Sequence, residues 1–493
     1  MCTDADKTSV WDQLRQSDWR AFQRFLGPTV WLEAAKVAGV KLGKGPLHLG
    51  NLVWLALGAA WFRTKNFADV LVVVLKLLRD AEDYADSPLA ELEKRGKQKA
   101  KKEKRHKHDP RGQDPTKLSE EAFTQARRKM PTWFWVALLL ILTRNFEKAH
   151  RERIRWKRFR LLTIDGTTIP LEHWQNLAKH FGTAKNGRGR RRPQARLVMM
   201  QLPLVRVPWR YELVPCKQDE RAVAKRLLNE LERDDLLLMD RGFWSYGLFW
   251  QIQNRGAYFA TRQKAKVQWK KLKTLGKHDS IVRHQPKDWR KKWKKEGLAE
   301  SIELRVIEYQ IPGFRKSAVV TNMLDAKAIP REDWVRMATV DEAGRVMEPA
   351  GLYHRRWEIE TTFYELKVTQ GMEKSLRSRT GKGIEYEVAG HVLLYLLTRW
   401  LMVESAVQAG IDDPLRLSFK AALEEIADMR ETLVHASAEH VSKVLLPRLL
   451  ERIASHQVPP RPGRHYPRPR DNKPKPKGNG RYQQPSKLKR KAT

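Results

Sequence analysis

Three carboxylates stand in this sequence where a charge is costly to keep. Asp165 closes the apolar stretch LLTI and Asp240 closes LLLM, two short runs that read as strands buried on both faces. An aspartate at a strand end is often only a turn former, and Gly166 and Gly242 permit that reading for either acid alone. As a pair at the ends of two core strands they invite a cation, because buried like charges otherwise repel and force protonation. The third acid lies in YHRRWEIETTFYELK, positions 353 to 367, which contains no glycine or proline and reads as helix. On a wheel turning about 100° per residue, Arg356, Glu360 and Lys367 fall within about 60° of Tyr353, on one stripe. Trp357, Tyr364 and Val368 flank that stripe on one side and Leu352, Ile359, Phe363 and Leu366 on the other, which predicts that it runs down the middle of the buried face. His354, Arg355, Glu358, Thr361, Thr362 and Glu365 take the opposite arc, where water explains them. Glu360 is then the inward-facing glutamate of this helix.

The stripe has two readings. It is a buried ion-pair network, with Glu360 held between Arg356 and Lys367, which would be a weak source of stability; or it faces a metal and phosphates. A phenol, a guanidinium, a carboxylate and an ammonium on one inward line suit the second. Three carboxylates without a histidine or cysteine cluster suit hard, oxygen-liganded Mg²⁺, with Mn²⁺ as the alternative ion, rather than zinc. Two such ions can activate the attacking oxygen and stabilise the leaving oxygen of a phosphodiester displacement. Arg356, Lys367 and the Tyr353 hydroxyl would then hold nonbridging phosphate oxygens.

Composition points to the same class of partner. The chain has 493 residues, with 96 lysines and arginines against 57 aspartates and glutamates, a formal charge of +39 and a pI near 10.2. Such an excess repels itself unless a polyanion is near, which makes nucleic acid the first candidate. Cys2 and Cys216 offer neither a disulfide framework nor a zinc pattern, so a reducing cytoplasm fits best. The apolar runs WFWVALLLIL and VLVVVLKLL fall short of the roughly 18 residues of a membrane span. The N-terminus lacks a basic start followed by an apolar segment, so neither secretion nor a membrane is expected.

The elements that must position the acids follow from periodicity. Residues 1–95 carry helix-period apolar stretches and read as a helical N-terminal domain, with DNA binding as one use; 96–115 is a basic linker, and 116–157 a helical segment leading into the core. Residues 158–261 alternate three strands, helix, strand, helix, strand, a mixed α/β pattern. Residues 262–348 form a basic, β-rich insertion in which Trp269, Trp289 and Trp293 sit among lysines, either to stack on DNA bases or to pack. Helix returns over 349–405, which completes the core, and over 406–455; 456–493 is proline-rich, basic and predicted to be disordered.

At the acids the chain resembles the DDE transposases of the fourth bacterial insertion-sequence family. Their third-acid motif is Tyr, two residues, Arg, three residues, Glu, six residues, Lys, and Tyr353, Arg356, Glu360 and Lys367 match every spacing. DGTT at 165–168 is similar to the first-acid motif and DRGF at 240–243 to the second. The resemblance implies a ribonuclease H-like catalytic fold interrupted by a β-rich insertion, with Asp165, Asp240 and Glu360 as catalytic metal ligands for two ions. It implies Tyr353, Arg356 and Lys367 as phosphate-binding residues. It further implies a homodimer that pairs the terminal inverted repeats of a transposon, nicks them hydrolytically and directs the 3′ hydroxyl at target DNA. Members that excise through a DNA hairpin hold a flipped base with a tryptophan in the insertion; at the matching place, RKSAVVTN, this chain has Ser317. A domesticated DNA-binding protein without catalysis and a structure-specific nuclease on the same fold are the alternatives.

Overall fold

A computed structural model describes residues 22, 25–41, 47–80, 119–183, 192–265, 267–310, 316–336, 339–340, 346–348, 351–429 and 438–459. Cys2, the basic linker expected over 96–115 and the expected tail beyond residue 459 lie outside these described residues.

The chain begins with helices whose ends the sequence dictates. α1 (Pro28–Ala38) starts on a proline, whose missing N–H costs nothing there, and ends at Gly39 with φ +57°. α2 (Leu49–Trp61) is buried on every side, as its unbroken apolar sequence requires, and α3 (Phe67–Asp80) packs against it. In α4 (Glu120–Arg128) the Ser119 hydroxyl accepts the Ala122 N–H at 3.1 Å, and Glu120 and Glu121 meet the positive end of the helix dipole. α5 (Thr132–Ala149) leads into the sheet.

Ten strands form one mixed sheet among the described residues. β1 (Arg155–Trp156) pairs with the start of β2 (Phe159–Pro170); β2, β3 (Gln194–Leu202) and β4 (Val207–Pro215) form an antiparallel meander. β5 (Asp235–Met239) and β6 (Tyr258–Arg262) then add parallel to β2, giving the order β4-β3-β2-β5-β6. Between them run α6 (Gln175–Phe181), α7 (Glu220–Leu227) and α8 (Tyr246–Asn254). The basic stretch that follows forms β7 (Lys270–Gly276), β8 (Asp279–His284), β9 (Ile302–Tyr309) and β10 (Ser317–Thr321), which prolong the same sheet as β10-β9-β8-β7 beyond β6. β7 is an edge, and its exposed Lys270, Lys271 and Lys273 disfavour pairing with another edge strand.

Alternation decides which face each strand residue covers. Leu162, Ile164, Leu237 and Met239 join a large cluster that runs without interruption from Phe22 to Ile453, so the N-terminal helices share a core with the sheet. Phe159, Leu161, Leu236 and Leu238 join a second cluster with Trp334, Leu352 and Tyr353 on the other face. Both faces of β2 and β5 are thus covered, the physical reason for their continuous apolar runs. The long helix α11 (Gly381–Gln408; intervening helices α9, Arg331–Val335, and α10, Glu358–Tyr364) crosses α2 so closely that a Cβ at Gly390 would lie 2.1 Å from the Ala56 carbonyl oxygen. α12 (Phe419–Asp428) and α13 (Leu446–Ser455) close the C-terminal side. Among the described residues no helix is long and apolar enough to cross a membrane.

Candidate active site

The two aspartates come together because β2 and β5 part between them. The last parallel pair is Ile164 with Met239, so Asp165 and Asp240 are the next residues on neighbouring strands about 4.8 Å apart. β2 does not end at Asp165, as the apolar run suggested: it continues to Pro170 against β3, with Asp165 opposite Met199. β5 does end, and Asp240 caps the turn Arg241–Phe243, its Oδ2 accepting the Gly242 N–H at 3.4 Å. The site therefore opens at the carboxyl end of β5, where open α/β sheets bind ligands.

Electrostatically, burial outweighs the nearby positive charge at Asp165. Burial pushes the Asp165 carboxyl up to about 7, against the Gly166 N–H it accepts at 2.8 Å and the nearby Arg356, with Asp240 and Glu220 adding repulsion. Glu220, in the first turn of α7, closes over β2 from the opposite face: a Cβ on Gly166 would fall 2.8 Å from its Oε1. Arg196 lies 3.5 Å from the same Glu220 oxygen. Glu220, Asp240, Arg196, Arg241, Trp244 and Lys264 are among the residues lining an open cavity of about 540 Å³.

The third acid arrives on a segment that is not one regular helix. Leu352–Trp357 is a 3₁₀ turn, α10 is α-helical, and Glu365–Thr369 is a π turn. A 3₁₀ turn advances about 120° per residue, so a uniform wheel drifts at both ends of the segment. The consequence corrects the expected faces. Trp357, Tyr364 and Val368 are exposed, and the stripe lies at the edge of the buried face rather than its middle. Glu365, assigned to water, is buried, and Glu358 is paired with Arg206 at 2.7 Å.

Each residue of the stripe has a definite place. Glu360 has a half-exposed side chain and accepts a 3.1 Å hydrogen bond from Arg356, which is itself buried and within electrostatic reach of Asp165. Lys367 donates to the Thr168 carbonyl at 2.9 Å and to Thr167 Oγ1 at 3.3 Å, and pairs with Glu373 at 2.6 Å, which ties it to β2 just beyond Asp165. Tyr353 is tied to the neighbouring strand. Its hydroxyl is buried and donates to the Met239 carbonyl at 3.0 Å, so the one proton a phenol can give is spent holding the end of β5. Burial, countered by Arg356, keeps that hydroxyl protonated well above its ordinary range.

Among the described residues no group of three or more histidine, cysteine, aspartate or glutamate side chains forms a ready metal cage. The donors present nonetheless fit a hard divalent cation. Asp165 and Asp240 are adjacent oxygen donors whose repulsion a cation would relieve, and Glu360 stands on the rim, held by Arg356.

The tryptophans of the basic segment make packing contacts in this structure. Trp293 is buried between Tyr246 and Gly247, its Nε1 donating to Asp288 at 3.1 Å. Trp289 donates to the Leu298 carbonyl at 3.2 Å, and both it and Trp269 lie half-buried against the core. Ser317 opens β10 opposite Tyr309. Sequence reasoning missed Glu220 and Arg206. Glu220 had a faint signal in its place at the start of an acid-capped helix, whereas Arg206, alone in the β3–β4 turn, had none.

Comparison with known proteins bears on this constellation. Residues 156–397 match the family model described as a transposase DDE domain. A curated Escherichia coli (strain K12) protein, the transposase InsG for insertion sequence element IS4, is 28% identical over 260 residues, covering 51% of this chain. The match spans about half of that relative, 54% of its length. Together they support an enzyme of the DDE transposase type, similar to that of IS4. A solved structure of the piggyBac transposase synaptic complex with hairpin DNA aligns with 89% of this chain and 85% of that one at a TM-score of 0.37 and 9% identity, too low to carry an argument.

Proposed function

We propose that this chain is a DDE-type transposase: a divalent-metal-dependent polynucleotidyl transferase that cuts DNA at the terminal inverted repeats of its element and joins the freed 3′ hydroxyl to target DNA. The observation that carries the reading is the adjacent register of Asp165 and Asp240 where β5 leaves β2, with the segment from Tyr353 to Lys367 folded against the same strands. A meander of three antiparallel strands followed by two parallel ones, β4-β3-β2-β5-β6, supports a ribonuclease H-like core, with β7–β10 as its insertion.

Asp165, Asp240 and Glu360 would hold Mg²⁺ or Mn²⁺, two ions per site. Such ions supply activation of the attacking oxygen and neutralisation of charge on the leaving one. The protein's own residues do the positioning. Arg356 restrains the Glu360 carboxylate and presents a guanidinium to a phosphate beside Asp165. Lys367 places an ammonium at the far side of the same strand. Tyr353 fixes the strand end from which Asp240 projects. The charge of +39 draws DNA to the molecule, and a homodimer would hold two ends at once, beside the nucleoid.

The test offers the full-length chain a duplex carrying the inverted repeats that flank its coding region, either intact or pre-cut to expose the 3′ hydroxyl. The proposal expects Mg²⁺-dependent nicking of the first and strand joining by the second. Nicking without joining would identify a nuclease, and binding without either a domesticated DNA-binding protein.

A further inference from the structure

The helix that carries Glu360 is held from behind by a closed set of charges. Glu365 is 8% exposed; it accepts the Tyr395 hydroxyl at 2.6 Å and Arg206 Nη1 at 3.0 Å, and pairs with Arg399. Arg206 spans two turns of the helix, since its Nε and Nη2 reach Glu358 at 2.8 and 2.7 Å. Arg399 and Tyr395 are fully buried on α11. The cluster thus joins the β3–β4 turn, the catalytic helix and α11, on the side of the helix axis away from Glu360.

Two observations set it apart from ordinary packing. Arg206 has φ +53°, the left-handed region that suits glycine and strains other residues. The backbone gains nothing from an arginine there; what the position provides is a fork that grips two glutamates. Second, α10 is only Glu358–Tyr364, entered from a 3₁₀ turn and left through a π turn, so its own hydrogen bonds fix its rotation poorly. Buried ion pairs are a weak source of stability compared with apolar packing, but their geometry is directional.

We propose that Arg206, Glu358, Glu365 and Arg399 form a rotational latch that holds Glu360 at Arg356, on the rim of the site that Asp165 and Asp240 begin. Arg206 and Glu365 are positioning residues. This rests on Glu360 being the third catalytic carboxylate.

The test compares full-length wild type with Arg206→Gly, Arg206→Lys, Glu365→Gln and Glu360→Gln. Calorimetric titration with Mn²⁺ alone should show affinity reduced about tenfold or more in Arg206→Gly and Glu365→Gln, the usual cost of losing an outer support of a metal ligand. Amide exchange should accelerate over residues 358–369 but not across the sheet. Arg206→Gly relieves the backbone strain, which offsets only part of the cost of unpairing Glu358 and Glu365, and Arg206→Lys, which keeps the charge but reaches one glutamate, should recover part of the Mn²⁺ affinity. Wild-type Mn²⁺ affinity and exchange in Arg206→Gly would overturn the latch, as would exchange accelerated uniformly with unchanged affinity. If instead Glu360→Gln binds Mn²⁺ and cleaves DNA like wild type, the reading of Glu360 fails and the latch with it; an inactive Glu360→Gln beside an unaffected Arg206→Gly sinks the latch alone.

Discussion

Asp165→Asn should stabilise the metal-free protein, and by an amount that depends on pH. The Asp165 carboxyl titrates near 7 in the fold against 3.8 when exposed, so between these values the folded state holds a proton that the unfolded state has lost. Its contribution to stability is fully present below the lower value and is lost as pH rises through the upper one. Relative to strong acid, the loss is about 4 kcal/mol at pH 8 and about 1.7 kcal/mol at pH 5 for the two values 7 and 3.8. An asparagine occupies nearly the same volume, can accept the Gly166 N–H and carries no charge. The variant should therefore gain roughly 2 to 3 kcal/mol more at pH 8 than at pH 5, read as the difference in urea-unfolding free energy in EDTA. Mg²⁺ at pH 8 should raise wild-type stability and leave the variant nearly unmoved, because the cation relieves the repulsion that the substitution has already removed. An equal effect at both pH values, or destabilisation at pH 8, would refute the placement of a desolvated carboxylate between Asp240 and Glu220.

Other consequences follow from the same geometry. Glu220→Gln removes one of the charges that raise the Asp165 carboxyl, so the wild-type loss of stability between pH 5 and pH 8 should shrink in the same unfolding assay. Tyr353→Phe deletes the hydroxyl bound to the Met239 carbonyl and should cost about 1 kcal/mol, with DNA cleavage within about tenfold of wild type; a far larger loss of cleavage would restore a direct role on phosphate. Trp293→Ala should lower unfolding stability by about 3 to 5 kcal/mol, as expected of a buried tryptophan, whereas an unchanged melting temperature with weakened DNA binding would return it to base stacking.

The sequence made the two aspartates legible for a simple reason: strands covered on both faces write continuous apolar runs, and a charge that breaks such a run marks where the cover ends. That the two breaks fall in register, Ile164 beside Met239, needed the parallel pairing, which no local pattern encodes. The mixed α/β character was legible from the alternation of elements, but the union of β7–β10 with the core sheet depends on the antiparallel pairing of β10 with β6, a contact remote in sequence. The helix of the third acid was the hardest to read. Its changes from 3₁₀ to α to π leave no mark in residue type, so a uniform wheel sent Trp357 and Tyr364 inward and Glu365 outward. Glu365 betrays the difficulty: a glutamate on an apolar helix suggests solvent, and only the fold supplies Arg206, Arg399 and Tyr395 around it.

The most direct measurement pairs cleavage with binding on one substrate. Wild type and Glu360→Gln are incubated with a labelled duplex bearing the flanking inverted repeats, with and without Mg²⁺, and bound and nicked fractions are read from the same samples. The transposase reading predicts that wild type nicks only with Mg²⁺ and that Glu360→Gln binds the duplex as tightly yet leaves it intact; nicking by Glu360→Gln at the wild-type rate would contradict it.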